Sequence, residues 1–320
     1  MMSKTILITG AGGYIGSLLV GQLSDLLEKG VQIVAVDVRN IPEERRIPGI
    51  IYRTEDVRSD SLRDILRQYQ VHTVVHLASI VTPGKKSNRE FEYSVDVLGT
   101  ENVLKGCVDN HVGHIILTSS GAAYGYYPSN PDWISEDHSI RGNEEFAYSY
   151  HKRLVEQMLA RYREQYPELK QTIFRIGTIL GDTVNNQITQ LFEKRSLLGI
   201  RGSKSPFVFI WDQDVIACIH QAIVQEKPGI YNLAGDGALT IDEIANLLHK
   251  KVIRLPAAIV RSALYVLKKA HLTQYGPEQV NFIRYRPVLS NTKLKSEFGY
   301  IPKLSTREVF EKYIVPKNMN

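Results

Sequence analysis

Short apolar runs alternate with helical stretches through the first 180 residues, and this alternation restricts the possible folds more than any other feature. The run "TILITG" (5–10) reads as a strand ending in glycine, and "YIGSLLVGQLSDLLEKG" (14–30) follows as a helix closed by glycine. "VQIVAVDV" (31–38) predicts a second strand, "SLRDILRQY" (61–69) a helix and "VHTVVHLAS" (71–79) another strand. "EFEYSVDVLGTENVLKGCVDN" (90–110) predicts one long helix and "HIILTSS" (114–120) a strand. "EEFAYSYHKRLVEQMLARYREQ" (144–165) then reads as a helix and "QTIFRIGTIL" (171–180) as a single strand. Strands that are apolar throughout are covered on both faces, and intervening helices make the sheet parallel. The expected fold class is therefore α/β, with ligands bound at the carboxyl ends of the strands.

The first strand end carries "TGAGGYIG", in which Gly10, Gly13 and Gly16 repeat every third position between strand and helix. Glycines there permit a tight turn and a close backbone approach to a pyrophosphate, whose charge meets the helix N-terminus. A carboxylate, Asp37, ends the second strand, where it can accept hydrogen bonds from ribose hydroxyls and repel a 2′-phosphate. The reading is a Rossmann-type, doubly wound dinucleotide-binding sheet that prefers NAD to NADP.

In the helix 144–165, Tyr148 and Lys152 stand four residues apart, about one turn, so both side chains emerge on one face. A free tyrosine loses its proton only near pH ~10, and an adjacent cation favours the phenolate. Such a pair can serve as a general acid and base. Composition narrows the classes further. The two cysteines, Cys107 and Cys218, have no metal-ligand spacing, which points to a reducing, cytoplasmic setting without a structural metal. The start "MMSKTILITGAGG" lacks the apolar stretch of a signal peptide. The net charge of +5 is spread over scattered basic residues, with no continuous stripe for nucleic acid. The apolar late segment "LPAAIVRSALYVLKKAHL" (255–272) is interrupted by Arg261 and too short to span a bilayer. It reads as a buried or lid-forming amphipathic helix in preference to one lying on a membrane surface.

With Gly10, Gly13, Gly16, Asp37, Tyr148 and Lys152 in this order, the chain resembles the extended short-chain dehydrogenase/reductases, and among them the NAD-dependent epimerase/dehydratase family. "DV" at Asp56–Val57, "HLAS" at 76–79, "SSGAAYG" at 119–125 and "FRIGTILG" at 174–181 extend the resemblance. So do "GIYNLAGDGALTIDEIANLL" and "LSNTKLKSEFGYIPKLSTREVF" in the C-terminal half. The resemblance implies a Rossmann domain over 1–180 and a smaller substrate-binding lobe over 181–320, of which segments near 207–235 return to the first domain. It implies catalytic roles for Ser120, Tyr148 and Lys152. NAD would then contact Gly10, Gly13, Tyr14, Ile15, Gly16, Asp37, Asp56, Val57, Leu77, Ala78, Ser79, Thr118 and Ile176, besides Tyr148 and Lys152. In such enzymes the tyrosine exchanges the proton of the substrate hydroxyl, the lysine holds the nicotinamide ribose, and the serine stabilises charge on the reacting oxygen. The implied partners are a small-molecule substrate and a second copy of the chain, paired through helices near 89–110 and 144–166.

Departures from the family pattern are equally informative. Ser120-Gly121-Ala122 lacks the acidic residues that sugar 4,6-dehydratases place after their serine or threonine, so elimination of water has no evident acid. Asp96 stands where the family usually has asparagine; an ionised carboxylate only accepts hydrogen bonds, so the network behind the active site must differ. Ser205 and Pro206 replace the usual Arg-Asp that clamps a diphosphate, and Thr178 replaces a substrate-contacting asparagine. Arg201, Lys204, Arg284 or Arg286 could take over the clamp, with Thr178, Arg201 and Arg286 the expected substrate contacts. Phe207, Phe209 and Trp211 alternate along a strand and read as core, while Asp214 reads as ordering a helix start. The expected activity is hydride transfer at a secondary carbinol of a sugar or nucleotide sugar. The alternatives are a 3β-hydroxysteroid-dehydrogenase-like enzyme acting on an apolar alcohol, or an NAD-binding protein without turnover.

Overall fold

The computed structural model describes residues 4–81, 88–270, 272–273 and 276–315. His271, within the apolar late segment, lies outside the described residues. The chain divides into two compact units. The first comprises Met1–Ser120, His151–Arg175 and Asp212–Tyr231; the second comprises Gly121–Tyr150, Ile176–Trp211 and Asn232–Asn320.

The main sheet has seven parallel strands. They are β1 (Thr5–Thr9), β2 (Gln32–Asp37), β3 (Ile51–Thr54), β4 (Thr73–His76), β5 (His114–Ser120), β6 (Lys170–Ile176) and β10 (Gly229–Leu233). Their order across the sheet is β10-β6-β5-β4-β1-β2-β3, so the chain winds one way from β1 to β3 and the other way from β4. The reversal lies between β1 and β4, where a doubly wound sheet opens a crevice for ligand. Helices α1 (Tyr14–Leu23), α2 (Ser61–Gln68), α4 (Gly99–Asp109), α5 (Ala147–Gln165) and α7 (Asp212–Gln225) follow the strands. Leu7, Val34, Val36, Val74, Ile115 and Leu117 from the strands pack with Leu62, Val103, Leu104, Val155 and Leu159 from the helices into one buried core. The strand residues of this core point to one face of the sheet; Ile6, Ile8, Ile33, Ala35, Val75 and Ile116, which alternate with them, are buried on the other, the physical counterpart of the apolar strand sequences.

Four details depart from the sequence reading. The helix expected over 14–30 stops at Leu23 and tightens into a 3₁₀ turn over Ser24–Lys29. Here the Ser24 hydroxyl donates back to the Gly21 carbonyl at 2.8 Å. The edge strand β3 carries no apolar signal because its side chains are half or fully exposed. The long helix over 90–110 is helical throughout but changes pitch: α3 (Arg89–Tyr93) runs into a π turn at Ser94–Leu98 before α4 begins. There the Gly99 N–H reaches the Ser94 carbonyl five residues back, and Asp96 sits on the widened turn. The single strand expected over 171–180 breaks at Gly177. Beyond it, β7 (Thr178–Leu180) leaves the main sheet and pairs with β9 (Phe209–Trp211) in parallel register, Thr178 opposite Phe209.

The second unit has its own cores. Phe192, Phe207, Phe209 and Phe310 stack with Leu180, Leu239, Ile244 and Tyr313. Phe207 and Phe209 are thus core residues, as their alternation implied. Asp214 is buried in the first turn of α7. A smaller cluster joins Ile200 of β8 (Ser196–Ile200) to Val260 of α9 (Ala257–Lys269) and Val280 of α10 (Gln279–Arg284). Among the described residues no helix is long and apolar enough to cross a membrane. The late apolar segment does form helix α9, but of the helix's residues only Val260 is fully buried, so of the two expected forms, buried or lid-forming, the first does not hold.

Candidate active site

The glycine-rich turn is built by close backbone packing. Gly10 adopts φ +70°, and a Cβ there would lie 2.7 Å from the Ala78 nitrogen, so β1 and the end of β4 can cross only at glycine. A Cβ on Gly16 would lie 2.1 Å from the Gly10 carbonyl oxygen. The turn is closed by Gly13 N–H donating to that same oxygen at 3.0 Å. Gly13 caps α1 in extended conformation without any side-chain cap, and the first turn of the helix carries no acidic residue. The first amides of α1 thus have no side-chain cap and no acidic residue in their turn, an arrangement able to receive a pyrophosphate. Tyr14 follows at once, its hydroxyl donating to Asp212 Oδ2 at 2.5 Å, with half-buried Ile15 next.

Asp37 is 6% exposed, and Oδ2 accepts from the Gly12 N–H at 2.9 Å while Oδ1 accepts from the Arg39 N–H at 2.9 Å. Oδ1 also accepts from Arg39 Nε at 3.4 Å, while Oδ2 keeps a second lone pair able to accept from a ribose hydroxyl. Asp56 pairs with Arg58 at 2.6 Å, which holds its carboxyl below the usual range chiefly through the side-chain hydrogen bond. Val57 beside it is buried. Leu77, Ala78 and Ser79 are half-buried at the carboxyl end of β4, with the Leu77 N–H donating to the Thr9 carbonyl at 3.1 Å.

Behind this strand end runs a hydrogen-bond chain. Thr100 Oγ1 donates to the Asp96 carbonyl at 2.6 Å and therefore accepts from His76 Nε2–H at 3.0 Å. The remaining ring nitrogen, Nδ1, accepts from Thr9 Oγ1 at 2.7 Å. Burial, together with the Lys152 charge, holds His76 down at about 3 against the opposing pull of Asp96, so the ring is neutral and this tautomer is fixed. Asp96 itself accepts from Ser79 Oγ at 3.0 Å and the Ile80 N–H at 2.8 Å. Its other oxygen meets His151 Nδ1 at 3.2 Å, and the His151 ring packs edge-on against Tyr93 at 5.7 Å. The Asp96 carboxylate thus receives donors from three groups.

Tyr148 is half-buried in the first turn of α5, and Lys152 is buried one turn later. Lys152 Nζ donates to the carbonyl of Thr118 on β5 at 3.0 Å. Burial lowers its pKa, while the charges of Asp96 and Glu156 act in the opposite sense. Glu156, one turn beyond, accepts from Ser119 Oγ at 2.6 Å and pairs with Arg175 at 2.7 Å, all three buried. Ser120, half-buried, is the last residue of β5. Ile176 is buried at the end of β6.

In the second unit the expected substrate residues separate. Thr178 begins β7, its N–H donating to the Val208 carbonyl at 3.2 Å. Arg201 is exposed on the turn after β8. Arg286, by contrast, stacks on Phe207 at 4.3 Å and Phe282 at 4.6 Å, and desolvation lowers its pKa to about 10. Phe282 also joins Tyr126 and Phe146 in an aromatic cluster. Burial pushes the Tyr126 hydroxyl up to about 12, with the Arg286 charge opposing the rise and Tyr148 adding to it. Tyr126 therefore lies within electrostatic reach of both Arg286 and Tyr148. His76, Thr100, His151, Glu156 and Arg175 escaped the sequence reading. The available signals were His151 beside Lys152 and Arg175 inside an otherwise apolar strand.

Comparison with known proteins follows this geometry. Residues 6–234 match the sequence model of the NAD dependent epimerase/dehydratase family. An uncharacterized protein of Mycobacterium tuberculosis is 23% identical over 97% of this chain and 83% of its own length. The UDP-glucose 4-epimerase of Yersinia pestis is 29% identical over 55% of this chain and 53% of its own. The crystal structure of Thermus thermophilus UDP-glucose 4-epimerase in complex with NAD superposes with a TM-score of 0.71 at 22% identity, covering 97% of each chain. The family match over residues 6–234, on a chain with a glycine turn after β1 and a buried carboxylate ending β2, makes this chain a member of the NAD-dependent epimerase/dehydratase family, with NAD as its cofactor.

Proposed function

We propose that the protein is an enzyme that epimerises or oxidises a secondary carbinol of a sugar, most simply a nucleotide-linked one. The observation that carries this reading is Tyr148 placed one turn before the buried Lys152, whose ammonium is tied to the Thr118 carbonyl at 3.0 Å. Tyr148, as a phenolate stabilised by the ammonium one turn away, accepts the proton of the substrate hydroxyl and becomes the neutral phenol. Asp96 and Glu156 favour the charged form of Lys152, which the role demands. Ser120 donates a hydrogen bond to the reacting oxygen as charge develops on it. Gly10, Gly13 and Gly16 hold the pyrophosphate of NAD, Asp37 the adenosine ribose and Lys152 the nicotinamide ribose. NAD, when bound, supplies the hydride acceptor.

Arg286 is our choice for the diphosphate-binding cation, because it stacks on Phe282, whose ring packs against Tyr126 and against Phe146, two residues before Tyr148. The exposed Arg201 has no such support. The absence of carboxylates after Ser120 argues against 4,6-dehydration. A homodimer through the 89–110 and 144–166 helices remains part of the proposal, and the exposed Phe91 and Leu98 on the first of them favour it.

The test is a panel of UDP-sugars, free aldoses, uronates and hydroxysteroids, scored by NADH formation and by product chromatography, with wild type, Tyr148→Phe and Arg286→Gln. An isomerised UDP-sugar without net NADH establishes epimerisation. Tyr148→Phe should lower turnover by about 10²–10⁴-fold with NAD affinity intact. Arg286→Gln should raise KM for UDP-sugars and leave KM for free sugars unchanged. Turnover of hydroxysteroids alone, or wild-type turnover by Tyr148→Phe, overturns the reading.

A further inference from the structure

Helix α9 and its flanks have a charge pattern and an exposure unlike the remainder of the chain. From Ile244 to Pro277 the sequence has six Lys and Arg residues and no Asp or Glu, so this stretch alone carries more positive charge than the net +5 of the whole chain. Helix α9 turns Val260 and the half-buried Ala257 and Leu264 towards Ile200 and Val280. Its opposite side is built from two rows at four-residue spacing, Ala258-Ser262-Val266 and Ile259-Ala263-Leu267, which share one face of a helix. These six residues line one shallow surface depression. Ile259 is 56% exposed and Val266 62%. An exposed apolar strip of this kind marks a contact surface.

The charges beside the strip decide what it contacts. Arg261, Lys268 and Lys269 border it, Lys269 over the ring of the exposed Tyr265 at 5.1 Å. Lys268 meets Glu278 at 3.5 Å and Arg261 donates to Asn281 at 3.1 Å, so only part of this charge is offset. A second copy docked by a two-fold axis through the strip would bring Arg261 and Lys269 towards their own equivalents, with the adjacent Glu278 already held by Lys268. An anionic bilayer presents phosphates to the cations and an acyl boundary to Ile259, Val266 and Leu267. Three turns of helix, about 20 Å, suffice for such in-plane contact and are too short to span.

We propose that the outward face of α9 docks this protein on anionic lipid bilayers, with Ile259 and Val266 entering the headgroup boundary and Arg261 and Lys269 pairing with lipid phosphates. The contact would place the enzyme at a membrane surface whatever its sugar substrate, so it stands apart from the assignment of catalysis.

Vesicle flotation of the full-length protein tests it, with phosphatidylcholine vesicles containing one-third phosphatidylglycerol against pure phosphatidylcholine. Binding should require the anionic lipid and weaken as salt rises from about 0.1 to about 0.5 M. The Ile259→Glu/Val266→Glu double variant should abolish flotation while NAD affinity and thermal midpoint stay at wild-type values. Arg261→Gln and Lys269→Gln should each weaken binding about fivefold. Absence of flotation, or equal flotation of the double variant, overturns the proposal. So does a smaller mass for the double variant by light scattering without vesicles, which would assign the face to a second copy.

Discussion

Replacing Gly16 by alanine tests the cofactor cradle with an internal control in the same helix. The new Cβ would lie 2.1 Å from the Gly10 carbonyl oxygen, 2.8 Å from Ala11 Cα and 2.9 Å from the Gly10 carbonyl carbon. An ordinary carbon–oxygen contact is about 3.3 Å, so the start of α1 must withdraw from the turn by about 1 Å. The turn cannot follow, because Gly10 lies against the Ala78 backbone and its oxygen accepts from the Gly13 N–H at 3.0 Å. An amide drawn back by that distance leaves hydrogen-bonding range of a phosphate oxygen, and each charge-assisted bond contributes about 1.5–3 kcal/mol. Loss of one or two such bonds weakens NAD binding by about 3 kcal/mol, a roughly hundredfold rise in Kd. Gly21 is in the same helix, and a Cβ there meets nothing within 4 Å. Gly21→Ala should therefore stabilise the protein by about 0.5–1 kcal/mol and leave NAD affinity unchanged. Calorimetric titration of both variants with NAD, alongside thermal unfolding, reads both effects. Gly16→Ala binding NAD within threefold of wild type, with its fold intact, would refute the cradle.

Asp37→Ser should lower NAD affinity about tenfold or more and bring NADP level with or above it, read by paired titrations. Glu156→Gln should cost about 3–5 kcal/mol of stability, because it leaves the buried Arg175 guanidinium without its counter-charge; urea unfolding followed at several wavelengths measures it. Acid should destabilise the protein before any carboxylate titrates. His76 is held at about 3 and His114 at about 4, both chiefly by burial, whereas both take protons near pH ~6.5 once unfolded. Their folded pKa values are depressed, so the stability they permit above pH ~6.5 is lost as pH falls, by about 1.4 kcal/mol per unit for each histidine. Glu226, held at about 2 mainly by its hydrogen bond with Lys4, adds a loss below pH ~4.5. A thermal midpoint that stays level from pH 7 to pH 5 would contradict the burial argument.

The parallel sheet was legible because its strands are covered on both faces and must be apolar along their whole length. β1, β2, β4 and β5 all have that property. The edge strand β3 does not, since half-exposed Ile51 and Tyr52 and exposed Arg53 and Thr54 look like any surface loop. Periodicity also failed where a run keeps its character but changes partner. "QTIFRIGTIL" has apolar residues on both sides of Gly177 (Ile173, Phe174 and Ile176 before it, Ile179 and Leu180 after it), yet Gly177 passes it from one sheet to another, with its N–H on the Leu233 carbonyl and the next on the Val208 carbonyl. For α9 the amphipathic pattern gave the helix but not its burial. An apolar face reads identically whether it meets the protein's own core or something outside it.

Around the candidate catalytic residues, legibility followed sequence distance. Tyr148 and Lys152 are one turn apart, so their pairing needs only a helix. Of the groups that govern Lys152, Glu156 lies one turn along α5 itself, but Asp96 comes from the π turn before α4, and Ser119 and Arg175 reach Glu156 from two strands. No periodicity links Asp96 to Lys152, or Ser119 and Arg175 to Glu156. What the sequence does contain is misfit: Asp96 where an amide is usual, Arg175 within an apolar strand, His151 packed against Lys152 in the chain. A buried charge survives only with a partner, so each misfit predicts an unseen opposite or donor nearby. The structure supplies them as His151, Ser79 and Ile80 for Asp96, and as Glu156 for Arg175. Both carboxylates are therefore already held by hydrogen bonds and cannot swing towards the ammonium. They act on Lys152 as fixed fields that oppose its desolvation. That preorganisation leaves Nζ donating to the Thr118 carbonyl at 3.0 Å, so the cation is held by its surroundings before any ligand arrives.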